Sequence, residues 1–244
     1  MRVSRLSPIP VAALLVAASA PSRAEPVRAV IEMYTSQGCA SCPAADRMAG
    51  EWSRRPGLLV LTLPVTYWDY LGWKDNLATR AFTERQRGYA SGRSERSLFT
   101  PQAVINGKDA LVGSDRTGIE RCVGEAEALG GLPVGMRIEE RDERIVVDVD
   151  ADPSGRHADV WLVPVSRSRP VAIERGENKG RVVIYANVVR GMQNLGAWTG
   201  RAARFEIARE AARRTGADGY VAMLQGASNG QPARVLGAAK GPGL

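Results

Sequence analysis

The sequence predicts an α/β unit over residues 25–131, followed by a mainly antiparallel β-sandwich over residues 132–244. Three observations carry that prediction. The apolar run Val30 to Tyr34 enters a turn and then a pair of cysteines, Cys39 and Cys42, spaced three apart at the head of a helical pattern. Between Leu58 and Leu129, runs of strand length alternate with segments of helical period. From Leu132 onward the texture changes to short alternating segments separated by turns, without helical patterns between them.

The elements follow in chain order. Arg2 and Arg5 precede the short apolar stretch Pro10 to Ala18, and Ser22-Arg23-Ala24 offers small residues for cleavage. Residues 1–24 therefore read as a secretory signal, with Glu25 first in the mature chain. The expected location is periplasmic or secreted, where disulfides persist. No later run approaches the ~18 apolar residues of a membrane span, so no membrane insertion of the mature chain is expected. Beyond Cys42, Ala45, Met48, Ala49 and Trp52 recur at helical spacing, and Pro43 falls in the first turn, where a missing N–H costs little. Leu58 to Val65, introduced by Pro56-Gly57, reads as a strand buried on both faces. Four aromatics, Tyr67, Trp68, Tyr70 and Trp73, then crowd the segment Thr66 to Asp75. A helical pattern runs through Leu77, Ala81, Phe82 and Tyr89, followed by Thr100-Pro101, a short strand and a tight Asn106-Gly107 turn. Ile119, Cys122, Val123 and Ala126 form the apolar stripe of a helix that ends at Gly130-Gly131. Seven short strands make up the second region: Val134 to Ile138, Ile145 to Val149, Val160 to Val165, Val171 to Ile173, Val182 to Val189, Phe205 to Ala208 and Tyr220 to Gln225. The formal charge of +7 falls to +4 once Arg2, Arg5 and Arg23 are removed, and basic residues alternate with acidic ones, as in Glu84-Arg85-Gln86-Arg87. That pattern argues for solvated faces and against a nucleic-acid partner.

The cysteine pair carries the chemistry. A cysteine at a helix start faces unpaired N–H groups and the positive end of the macrodipole, which favours its thiolate. A second cysteine three residues on is near enough to close a small disulfide. Strand, turn, Cys-x-x-Cys and helix is the local order of a thioredoxin-like active site. In that plan a cis-proline opens the strand beside the cysteines, and Thr100-Pro101 occupies the corresponding place. Gly38 stands where thioredoxins usually carry tryptophan, which leaves room near the sulfur.

The motifs Gly-Cys-x-x-Cys-Pro, Tyr-Trp-Asp-Tyr-Leu-Gly-Trp-Lys-Asp and Thr-Pro-Gln-x-x-x-Asn-Gly occur in this order, beginning at Gly38, Tyr67 and Thr100. With them the chain resembles the bacterial secreted proteins grouped as domain-of-unknown-function family 1223, over nearly the whole mature chain. The runs Arg175 to Arg181 and Asn187 to Arg190 also look like that family. The resemblance implies a thioredoxin-like fold and brings no settled activity with it.

The expected function is thiol–disulfide exchange with a thiol- or disulfide-containing protein or small molecule, with no cofactor and no metal. Cys39 is assigned as the accessible attacking thiolate and Cys42 as the shielded resolving thiol. Glu32, seven residues before Cys39, is the candidate proton relay. Gly38, Trp68, Thr100 and Pro101 are the candidate substrate contacts. Two alternatives stand beside this reading: a binding protein in which the disulfide is only a staple, and a carrier that grips Cu(I) between two thiolates. Zinc is disfavoured, because three cysteines and a single histidine, His157, do not assemble a four-ligand site. Cys122 reads as a buried cysteine, Asp69 and Asp75 as caps, and Arg175 to Arg181 as a hairpin loop. The second region is expected to supply no catalytic group.

Overall fold

The computed structural model describes residues 25–213 and 216–244; the expected signal segment, 1–24, lies outside the described residues. Strand β1 (Ala29–Thr35) and strand β2 (Leu58–Pro64) are parallel neighbours joined through helix α1 (Cys42–Trp52), and every residue of both strands is buried. The period of two along β1 decides what packs where. Ala29, Ile31 and Met33 meet Ala45, Met48, Ala49 and Trp52 of α1, together with Ile119 and Val123 of helix α3 (Arg116–Ala128). On the opposite face, Val30 and Tyr34 meet Phe82 and Tyr89 of helix α2 (Arg80–Gly92). Strand β3 (Gln102–Ile105) runs antiparallel to β1 and turns through Asn106-Gly107, both at positive φ, into β4 (Asp109–Val112).

The remaining strands are β5 (Met136–Arg141), β6 (Arg144–Val149), β7 (Ala158–Ala172), β8 (Val182–Val189), β9 (Gln193–Trp198), β10 (Ala203–Ala208), β11 (Gly219–Ser228) and β12 (Gln231–Lys240). They correct the predicted fold class. The order β12-β11-β7-β8-β2-β1-β3-β4, with β9 paired to β7, is one nine-stranded mixed sheet drawn from both parts of the chain. The expected thioredoxin-like unit followed by a sandwich is not what forms: the described residues hold three α-helices, and most strands belong to the shared sheet. The junction is Thr62 of β2 paired with Val188 of β8. It is reinforced by Thr62 Oγ1 donating to the Ala186 carbonyl at 2.6 Å and Asn187 Nδ2 donating to the Val60 carbonyl at 3.0 Å. The physical reason lies in β2 itself. A buried strand needs partners for its backbone groups on both edges; β1 takes one edge and β8 the other.

Strands β10, β6 and β5 form a separate three-stranded sheet. Its Ile145, Val147 and Val149 pack on Val160, Leu162, Leu224 and Leu236 of the large sheet. Strand β7 is continuous where the sequence reads as two strands. Its Pro164 sits between the end of the β9 pairing at Leu162 and the start of the β8 pairing at Val165, and Pro170 lies where β8 is the sole neighbour. Proline is tolerated at such edges because no ladder donor is missed.

Candidate functional site

Cys39 and Cys42 form a disulfide with a Cα–Cα distance of 5.4 Å. Helix α1 begins at Cys42, after Ser41, and Cys39 lies in the turn before it, where its carbonyl accepts the Cys42 N–H at 3.2 Å. The helix therefore starts one cysteine later than the sequence reading placed it, with Pro43 in its first turn as expected. Both cysteines are buried, Cys39 at 1% exposure and Cys42 at 0%. Accessibility thus does not separate them in this state, contrary to expectation. What differs is the surroundings: Ala40 and Ser41 beside Cys39 are exposed, with Ser41 Oγ 3.4 Å from the Cys39 sulfur, whereas Cys42 is followed by buried Pro43.

The turn is held from two remote segments, 69–78 and the β7–β8 connection. The Gln37 N–H donates to Asp75 Oδ2 at 2.9 Å, while Asp75 Oδ1 accepts from the N–H groups of Leu77 and Ala78. Asp69 Oδ1 in turn accepts the Asp75 N–H at 3.1 Å, so the two aspartates act as caps. Trp73 Nε1 donates to Gln37 Oε1 at 2.7 Å. The second segment was missed by sequence reasoning. Asn178, in the β7–β8 connection, is 1% exposed, and its Nδ2 donates to the carbonyls of both Gln37 (2.9 Å) and Cys39 (2.8 Å). Nothing in the charged run around Asn178 marks it for burial; only the return of β8 alongside β2 carries it to the turn.

The candidate substrate contacts form one connected strip. A Cβ on Gly38 would lie 3.1 Å from the Trp68 carbonyl oxygen, so the space that glycine leaves is filled by Trp68 rather than left open. Trp68 Nε1 donates to Thr100 Oγ1 at 2.7 Å. The Thr100–Pro101 bond is cis. Because Tyr34 pairs with Gln102, the β1–β3 register carries Pro101 to the level of Thr35, where β1 gives way to the cysteine turn.

Glu32 is engaged elsewhere. It shares the β1 face of Val30 and Tyr34, turned to α2 and away from α1. Arg85 binds it twice, at 2.6 and 2.8 Å, and the hydroxyls of Tyr89 and Tyr34 donate to it at 2.6 and 3.0 Å. Arg85 also donates to Gln225 Oε1 of β11 at 2.7 Å, so this buried pair ties β1, α2 and β11 together. The buried acid on the cysteine side is Asp46, on α1, 2% exposed. Thr35 Oγ1 donates to its Oδ1 at 2.7 Å, while its buried Oδ2 has no partner. Burial pushes the Asp46 carboxyl up to about 8; the Thr35 hydrogen bond and the charge of Arg47 act against that shift, and the Asp75 carboxylate adds to it.

The other singled-out residues lie apart. Cys122 is a buried free thiol in the α3 core, and His157 is exposed before β7. Among the described residues no group of three or more His, Cys, Asp or Glu is arranged to hold a metal ion, and no helix is long and apolar enough to cross a membrane.

The family described as protein of unknown function (DUF1223) matches residues 30–225. A crystal structure of a protein from Agrobacterium tumefaciens is similar, at 32% identity and a TM-score of 0.80, covering 88% of this chain and 94% of that one. HBP35 of Porphyromonas gingivalis shares the fold at 10% identity and a TM-score of 0.59, over 88% of this chain and 75% of that one. No curated protein matches the chain in sequence.

Proposed function

The chain belongs to the DUF1223 family, whose function is unknown, and from that premise and the cysteine turn we propose that it is an exported thiol–disulfide oxidoreductase. The observation that carries the reading is that the turn is held by more than its disulfide. Asp75, Trp73 and Asn178 already hold it through hydrogen bonds from residues remote in sequence. A bond closing so short a loop removes little unfolded-state entropy, about 2 kcal/mol on the chain-entropy account. As a staple it adds little; as a pair of sulfurs fixed in a preformed frame it is suited to be made and broken.

The exchange partner is a thiol- or disulfide-bearing protein or small molecule. Its thiolate attacks the Cys39 sulfur, the side bordered by exposed Ala40 and Ser41, and Cys42 leaves with the bonding pair. In the opposite direction the Cys39 thiolate opens the partner's disulfide, and Cys42 resolves the mixed disulfide. Trp68, Thr100 and Pro101 border the approach and must give way, because both sulfurs are covered in the oxidised form.

The test is exchange with oxidised and reduced glutathione by the protein beginning at Glu25. The expected result is reversible oxidation and reduction of one cysteine pair, with a glutathione adduct trapped at Cys39 in Cys42→Ser and no exchange in Cys39→Ser. A disulfide that resists millimolar dithiothreitol in the folded protein would overturn the proposal and leave the staple reading.

A further inference from the structure

We propose that Asp46 is the proton acceptor and donor for Cys42, a catalytic role that rests on the oxidoreductase reading above and goes beyond it by naming the acid. Asp46 follows Cys42 by four residues in the same helix, so the two side chains lie on one face a single turn apart. Both are buried. Its Oδ1 is committed to Thr35, whereas its Oδ2 is buried without a partner, a condition that costs free energy unless another state supplies one. The released Cys42 thiol is that partner.

Protons and electrons balance in both directions. When a mixed disulfide on Cys39 is resolved, the Cys42 S–H gives its proton to the Asp46 carboxylate. The Cys42 sulfur then bonds to the Cys39 sulfur, and the electron pair of the broken bond leaves on the partner as a thiolate. When a partner thiolate attacks Cys39 instead, Cys42 departs as a thiolate and takes the proton from neutral Asp46. Asp46 is therefore protonated in the disulfide form and charged in the dithiol form, and burial holds it protonated in the disulfide form at neutral pH.

The surroundings suit both states. Asp46 is at the floor of a groove of about 620 Å³ between α1 and the start of β8. Arg47 of α1, Arg54 just after it and Arg181 before β8 are exposed at its rim, and none of the three is in an ion pair among the described residues. The charge of Arg47 tempers the carboxylate when it forms. The other ionisable groups around it are Glu51, which is paired with Arg116, Asp75, and the Tyr185 hydroxyl of β8.

The experiment mixes reduced full-length protein with oxidised glutathione at pH 6.5, quenches with acid and counts the glutathione adduct by mass. In the wild type the adduct on Cys39 should be fleeting. In Asp46→Asn, the isostere of the neutral acid, the adduct should form at the wild-type rate and clear at least about tenfold more slowly, the lower edge of what general acid–base catalysis supplies. The gap should close above about pH 9, where Cys42 loses its proton to water directly. Thr35→Val keeps the acid but removes the hydrogen bond that favours its charge, and should move the pH midpoint of clearance upward. Clearance of the adduct at the wild-type rate in Asp46→Asn, or equal slowing of both steps in a variant that melts normally, would overturn the proposal. If the wild type itself forms no adduct, the oxidoreductase reading fails first and this one with it.

Discussion

The buried acid beside the cysteines should make stability depend on pH in a way that one substitution removes. The Asp46 carboxyl is raised from 3.8 to about 8 by burial, so the folded chain binds a proton that the unfolded chain has released. A group whose folded pKa is raised contributes most below its unfolded value, and that contribution is lost as pH rises toward its folded value. The window here runs from about 4 to about 8. Within it the slope for one proton is about 1.4 kcal/mol per pH unit, so the oxidised protein should lose about 2.7 kcal/mol to this group between pH 5 and pH 7. The Asp46→Asn amide cannot ionise, and the substitution removes that slope. Asp75 is also raised by burial and adds its own slope, which appears in both proteins and cancels in their difference. Urea titrations of wild type and Asp46→Asn at pH 5, 6 and 7 measure that difference directly. The variant should gain on the wild type by about 2.7 kcal/mol across the range. A difference constant to within about 0.5 kcal/mol would show that Asp46 is not held neutral by the fold and would refute the argument.

Asn178→Ala leaves the Gln37 and Cys39 carbonyls without their donor and should cost about 2–4 kcal/mol by urea titration, as two buried hydrogen bonds are lost. Arg85→Met strands the buried Glu32 carboxylate and should cost about 3–5 kcal/mol. Glu32→Gln, measured at a temperature where it stays folded, should exchange thiols at the wild-type rate, since Glu32 serves the α2 face of the sheet. Trp68→Ala removes the indole and its hydrogen bond to Thr100 from the residue that fills the space beside Gly38, next to Cys39 in the chain. Reduction by dithiothreitol should become roughly fivefold faster, matching about 1 kcal/mol of lost closing energy.

Local patterns are legible in the sequence, and edges are not. The apolar stripe of α1, the Pro43 position, the α3 stripe and the Asn106-Gly107 turn follow from spacing and backbone preference, and each appears in the structure. The β8 run reads as a strand, yet nothing in Val182 to Val189 says that its second neighbour is β2 rather than a strand of its own region. Strands β9 and β12 escape notice because Gly196, Gly237 and several alanines give them no β-branched pattern; their pairing with β7 and β11 makes them strands. Glu32 shows how fine the margin is at a site. An acid on a strand serves whichever face its parity gives it, and Glu32, in step with Val30 and Tyr34, is turned to the α2 side of the sheet. Asp46 has only the signal of an aspartate on the buried stripe of a helix, a polar residue where an apolar one is expected.

The clamp from Asn178 also bears on how the chain is made. Cys39 and the residue that grips its carbonyl are 139 positions apart. At ordinary synthesis rates the cysteines precede their clamp by on the order of ten seconds, and Cys122 emerges within that interval. Fidelity of pairing in the nascent chain then rests on proximity alone, since Cys39 meets Cys42 across a few residues but Cys122 only across a long loop. Arrival of β8 and the connection before it adds the Asn178 hydrogen bonds to that local pair, while Cys122 packs with residues of β1, α1 and α3 that are made before it. A chain halted before Asn178 should therefore carry the right disulfide without the two hydrogen bonds that hold its turn in the finished protein.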